Sequence, residues 1–273
     1  MTPLLAAIGC LDLLSTAVFA GGVIAAALIT LPSPRDRRVV QWAAAVLALD
    51  LVVQLVVFAA RMSAQSSTSG GAFWLELLDT HWGRLWVIRC FGLALLVTLR
   101  VGAGPRAALA ALWLLARSFQ GHAGAHGTLP ALIDWVHLLA AVTWLGALLR
   151  LALIGGAIAP AIALRVRRLA TVSVAALVPA GIYGAFLHVP SLERLAGSPY
   201  GRVLVVKLTF AAALISIGAM NHFRHVPRLV RRNDSGASRR LWRAVRFELV
   251  IAVVVLLLSA LLGVLPMPHE AMM

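Results

Sequence analysis

Apolar runs of about 20 residues recur along the whole of this 273-residue chain, and about 20 apolar residues are what an α-helix needs to cross a bilayer. In lipid the backbone must satisfy its own polar groups, which a helix does within one segment. The composition agrees. Hydrophobic residues make up 61% of the chain and charged residues 12%, outside the range of soluble domains. The fold class read from this is an all-α integral membrane protein. Eight spans are expected, at roughly 4–31, 40–62, 83–101, 106–120, 131–155, 169–188, 201–222 and 244–264. Arg84, Arg89 and Arg117 interrupt or edge the third and fourth. The longest gaps, 63–82 and 223–243, are polar and leave no room for a soluble domain. The first run is far longer than the apolar core of a signal peptide, and residues 1–3 carry no Lys or Arg; it is expected to stay as a helix.

The formal charge of +14 is placed by topology. Arg35, Arg37 and Arg38; Arg100 and Arg106; Arg150, Arg165, Arg167 and Arg168; and eight arginines from Arg224 to Arg246 fall in or beside alternate loops. The positive-inside rule puts those loops in the cytoplasm and both termini outside. The last basic loop suits anionic lipid; nucleic acid is not an expected partner.

Ionisable residues inside the spans are the first candidates for function, because each costs at least about 2.5–3.5 kcal/mol in lipid. They are Asp12, Asp50, Asp134 and Glu248, set against Arg89, Arg150 and Lys207, with His137. The near balance of sign predicts internal pairs. Arg89 and Lys207 read as structural ion pairs or snorkelling cations, or as fixed charges that hold a carboxylate ligand in place. The stretch 121–146 is the richest. His122 and His126 stand four apart in a glycine-rich turn. Asp134, His137, Ala141 and Trp144 follow a helical spacing that puts them on one face. A carboxylate one turn from an imidazole can share a metal with it or fix its tautomer. The plain alternative for His137 is a satisfied core histidine.

His81, His188 and His269 fall on the outer side with His122 and His126, as do Met1, Met62, Met267, Met272 and Met273. Imidazole suits several first-row metals and thioether favours Cu(I). The Met267–His269 tail reads as a capture arm or as a frayed end. Asn221, His222 and His225 end the seventh span on the basic side. Cys10 and Cys90 lie inside spans and form no CxxC motif, so no disulfide framework is expected.

The chain also echoes itself. Thr80-His81-Trp82-Gly83-Arg84 through Arg89 matches Ser198-Pro199-Tyr200-Gly201-Arg202 through Lys207 at an offset of about 118 residues, and Leu13–Gly21 matches Leu138–Gly146 at about 125. Two parallel four-helix repeats, 1–125 and 126–273, are therefore expected. Their interface is where sites tend to form. The second echo sets Asp12 against His137 and predicts that they face one another.

The stretch from Gly121-His122-Ala123 through Asp134-Trp135-Val136-His137 to Trp144-Leu145-Gly146 resembles the copper resistance protein D (CopD) family of bacterial inner-membrane proteins. So do Tyr200–Lys207, Asn221–Leu229 and the run from Glu248 to Pro266. The similarity is best over 118–266. It implies an eight-helix protein that moves copper across the inner membrane toward the cytoplasm, and a separate periplasmic CopC-like partner. The family pattern carries over to His122, His137 and Lys207. The expected function is copper ion binding and transport, with copper as Cu(I) or Cu(II) and metal ligands drawn from His122, His126, Asp134, His137 and Asp12. His81, His188, Met267 and His269 are secondary candidates, and Arg89, Lys207, Asp50 and Glu248 are structural or gating charges. No nucleotide-binding or phosphorylation motif is present, and no enzyme activity is expected. Two other readings stand beside this one. A haem-b electron-transfer or metalloreductase protein would need two inward histidines at one depth. A copper-delivery scaffold would bind without transporting.

Overall fold

The computed structural model describes residues 2–29, 32–65, 71–189, 191–232 and 235–266. It is helical throughout, with no strand among the described residues. In chain order the helices are α1 (Thr2–Leu28), α2 (Pro34–Gln65), α3 (Gly71–Asp79), α4 (His81–Thr98), α5 (Ala103–Gln120), α6 (His122–Ala125), α7 (Thr128–Ile154), α8 (Pro160–His188), α9 (Leu192–Gly197), α10 (Pro199–Met220), α11 (Val226–Arg232) and α12 (Ser235–Leu262). A π-helical segment, Asn221–His225, joins α10 to α11.

Six helical stretches among the described residues are long and apolar enough to cross a membrane: Pro3–Leu28, Pro34–Met62, Thr128–Ile154, Pro160–His188, Pro199–Arg231 and Gly236–Leu262. The expected third and fourth spans form α4 and α5, of 18 residues each, and these fall outside that set. The arginines that interrupt them are the reason. Arg89 is turned into the protein at 2% exposure, and Arg117 reaches the same cluster.

Several helices start earlier than their apolar runs because their basic ends are helical too. Ser33 and Asp36 open α2 reciprocally: the Ser33 amide donates to Asp36 Oδ2 (2.7 Å) and the Asp36 amide to Ser33 Oγ (3.3 Å), which satisfies orphan donors of the first turn. Thr80 and Ser198 cap α4 and α10 alike. The Thr80 hydroxyl accepts from the Gly83 amide and the Ser198 hydroxyl from the Gly201 amide, each at 2.9 Å.

Helices α1 and α7 form the centre. Each packs against α5 and α12 and against the other, α1 also against α2, and α7 against α8. They approach most closely at Gly21 and Gly146, where a Cβ on Gly21 would stand 2.6 Å from the Val142 carbonyl oxygen and one on Gly146 would strike the Gly21 backbone. Two apolar clusters flank this contact. One gathers α1, α2, α4 and α5 around Phe19, Leu47, Leu96 and Leu114. The other gathers α7, α8, α10, α11 and α12 around Leu148, Leu151, Leu241 and Val245. Large side chains such as Trp42, Phe186 and Phe223 face outward, as a lipid-facing surface requires.

Candidate functional site

Two polar clusters lie within the helices, one in each apolar cluster's territory. The first centres on Asp12 of α1, which is 5% exposed. Arg89 of α4 pairs with one carboxylate oxygen and Arg117 Nε of α5 lies 2.9 Å from the other. Arg89 Nη1 also donates to Gln120 Oε1 (2.8 Å) and Gln54 Oε1 (3.4 Å), and Gln54 Nε2 donates to Asp50 Oδ2 (2.6 Å). Asp50 is fully buried, and its Oδ1 makes no hydrogen bond. The Trp113 indole N–H fixes the Arg89 backbone carbonyl at 2.9 Å. The network ties α1, α2, α4 and α5 together.

The second cluster centres on His137 of α7. Its Nδ1–H donates to the Leu177 carbonyl of α8 at 3.2 Å. A carbonyl only accepts, so the neutral ring keeps its lone pair on Nε2. Gly181, one turn further along α8, makes room for the ring: a Cβ there would stand 3.1 Å from His137 Cε1. Asp134 and Lys207 of α10 interact electrostatically with the imidazole and with each other. Further along the α7 face, Trp144 is buried against Gly218 of α10. His137 and Lys207 are half-buried, unlike Asp12 and Arg89.

Beyond this cluster, at the ends of the helices, is a group of imidazoles. His126, the C-cap of α6, meets His188 at the end of α8 edge to face, ring centroids 5.7 Å apart. His188 stacks on the buried Tyr200 ring at 6.1 Å and donates from Nδ1 to the Gly184 carbonyl (2.7 Å), which leaves Nε2 as its lone-pair atom. His122 and Asp134 both interact electrostatically with His188. His122 Nε2–H donates to the Gly263 carbonyl (2.9 Å), and His81 Nε2–H to the Phe119 carbonyl (3.2 Å). Among the described residues, no three His, Cys, Asp or Glu side chains already form a metal-holding group. The rim therefore offers a two-histidine contact with further donors nearby, not a preformed centre.

At the other end, Glu248 of α12 is buried at 1% exposure and accepts from Asn221 Nδ2. His225 Nδ1 donates to Asn221 Oδ1 (2.7 Å). His222 lies against Arg167, whose Nη2 is 3.0 Å from His222 Nε2. Asn221, His222 and His225 occupy the π-helical turn, a geometry common at functional sites.

Residues 161–262 match the family model described as Copper resistance protein D. That segment belongs to the CopD family. The chain is also similar to the Copper transport protein CutJ of Bacillus subtilis (strain 168), 27% identical over 271 residues, covering 86% of this chain and 47% of that protein. The chain thus spans about half the length of the curated relative it matches. No solved structure matches it.

The CopD segment supplies His188, Lys207, His222 and Glu248, whereas Asp12, Arg89, His122, His126, Asp134 and His137 lie before it. The structure brings Lys207, expected as a structural or gating charge, into electrostatic range of Asp134 and His137, and brings His188 near His126 and His122. Among the described interactions none joins Asp12 to His137. Asp12 is held by Arg89 and Arg117, and His137 faces Leu177, Gly181, Asp134 and Lys207. The groups facing His137 are not the second inward histidine that a haem reading requires. Met267 and His269 lie outside the described residues, as do Met1, Met272 and Met273. Cys10 and Cys90 are free thiols, half-buried. Sequence reasoning missed Arg117, Gln54 and Gln120 as partners within the first cluster. It also missed the His126–His188 contact, because no periodicity links a loop histidine to a helix end 62 positions later.

Proposed function

We propose that this protein binds copper at the His126–His188 rim and passes it inward past Asp134 to His137, as a carrier of the bacterial inner membrane rather than an enzyme. The observation that carries the reading is the edge-to-face meeting of His126 and His188, with His122 and Asp134 in electrostatic reach of His188. Two imidazoles and a carboxylate make a nitrogen and oxygen donor set that suits copper. The CopD match and the likeness to a protein named for copper transport support that metal over others.

Copper enters here as cargo. His188 and His137 each spend Nδ1–H on a backbone carbonyl, which orients Nε2, the hydrogen-bonded arrangement that metal-ligating imidazoles use. Lys207 beside Asp134 holds the carboxylate in place and keeps a cation from resting too tightly beyond it. The direction is periplasm to cytoplasm, with both termini periplasmic by the arginine distribution, and a separate CopC-like protein loads the outer rim.

The two-repeat architecture, 1–125 and 126–273 with α4 and α5 counted as membrane helices, is part of the same reading. Three observations support it. The matched caps of α4 and α10 have one geometry. Gly21 and Gly146, equivalent at the offset of the second echo, lie in direct backbone contact. The neighbours of α1 mirror those of α7.

The test is copper titration of purified protein, followed by copper uptake into proteoliposomes. His126→Ala/His188→Ala is expected to weaken copper binding at least about tenfold, a loss of the size seen when metal ligands are disturbed, and to slow uptake in parallel. Unchanged binding in that variant sinks the rim as the entry site. Binding without uptake in the wild type favours a delivery scaffold.

A further inference from the structure

A cavity of about 820 Å³ opens mainly between α1, α2 and α4, with the ends of α5 and α7 completing its wall, and no histidine lines it. Its walls are apolar, built from Phe19, Ala44, Ala48, Leu51, Trp86 and Leu93 among others. Its charged lining residues gather at one end: Asp36, Arg37, Arg106 and Arg150. Asp36 and Arg150 pair with each other. Arg37 and Arg106 remain as the uncompensated charge at this mouth. Arg106 Nε is shielded from solvent and makes no hydrogen bond.

The lining of α2 runs from Asp36 to Val52, about 24 Å at 1.5 Å per residue. That exceeds the roughly 15 Å that one leaflet contributes to a hydrocarbon core about 30 Å thick. The long apolar wall offers ordered water almost no partners. A second copy of the chain, docked by the same face, would bring Arg37 and Arg106 toward their own counterparts. The basic end belongs to the side that the arginine-rich loops mark as cytoplasmic, where anionic headgroups concentrate and where basic pockets between helices hold them.

We infer that the crevice between α1, α2 and α4 binds one acyl chain of an anionic phospholipid, whose phosphate rests on Arg37 and Arg106. The chain fills the space along Ala44, Ala48 and Leu51, and the headgroup stays at the Asp36–Arg150 pair. This is a site for a resident lipid, separate from copper handling and independent of whether copper is the cargo.

Native mass spectrometry and thermal unfolding of the full chain in detergent test it, with dioleoyl phosphatidylglycerol and dioleoyl phosphatidylcholine as probes. One phosphatidylglycerol is expected to stay bound per chain and to raise the melting temperature more than phosphatidylcholine does. Arg37→Ala/Arg106→Ala is expected to weaken phosphatidylglycerol binding roughly 30-fold, the effect of removing two membrane-surface charges. Ala48→Trp, which plugs the crevice without altering charge, is expected to abolish retention of both lipids. Arg224→Ala/Arg228→Ala, an equal change of charge elsewhere on the basic side, should leave retention intact. Equal retention of the two lipids by wild type and by the Arg37/Arg106 variant overturns the proposal. So does an equal loss in the Arg224/Arg228 control, which would mean bulk charge alone. A lipid-free dimer that Ala48→Trp turns into a monomer would instead assign the crevice to a second copy of the chain.

Discussion

The Asp12 cluster and the His137 cluster use the same ingredients to opposite ends. Each sets a group on a central helix against a cation on a neighbouring helix, Arg89 in one case and Lys207 in the other. Around Asp12 the charges touch, Asp12 and Arg89 are almost fully buried, and two glutamines accept from Arg89 Nη1. Around His137 the cation acts at a distance, the groups are half-buried, and the imidazole's only described hydrogen bond is to a carbonyl. A charge pair sealed by contact is a strut, because breaking it leaves a bare ion in a low-dielectric interior. An imidazole held by one hydrogen bond, with Nε2 left as a lone-pair atom, keeps a donor for a ligand. The difference separates a cluster built to hold shape from the one to which the proposed function assigns the ligand.

The sharpest way to break this comparison is to remove a carboxylate. Asp12→Ala is expected to cost about 3–5 kcal/mol, the usual penalty for stripping one partner from a buried pair, whereas His137→Ala should cost about 1 kcal/mol and act on copper uptake instead. Thermal unfolding of both variants decides it, and equal losses of stability would erase the distinction.

A smaller effect tests the seam between the halves. Gly146→Ala puts a methyl group into the Gly21 backbone and should cost about 1–3 kcal/mol by overpacking, visible as a lowered melting temperature. Gly184→Ala, where a Cβ meets nothing within 4 Å, should not.

The smallest effect sharpens what the halves share. Thr80→Ala and Ser198→Ala each remove one cap hydrogen bond and should cost about 1 kcal/mol apiece. Closely similar losses would fit one local design used twice. A loss confined to one helix would show that the echo is only in the letters.

Much of this was legible in the residues. Long apolar runs announced membrane helices, and the balance of intramembrane signs announced buried pairing. The Gly83-Arg84 and Gly201-Arg202 echo located two helix starts that prove to be capped alike. The identity of the partners was not legible. Asp12 finds Arg89 and Arg117 only because α1, α4 and α5 pack together, and no local pattern encodes that. Arg89 and Arg117 also made α4 and α5 read as weak spans, when the same arginines are what tie those helices to the centre. The echo aligns Asp12 with His137, but equivalent positions in two units need not touch, and no described interaction joins these two. Gly21 and Gly146 do touch, further along the same two helices.

The Asp12–Arg89 pair has a consequence for how the chain is made. The carboxylate is synthesised 77 residues before its guanidinium partner. At about 5–20 residues per second, the nascent protein carries Asp12 for roughly 4–15 s with no Arg89 to meet it. During that interval the first helix has to keep the carboxyl neutral or lodged at the membrane edge. The helix hairpin formed by α1 and α2 therefore waits, incompletely seated, until α4 emerges and draws it in.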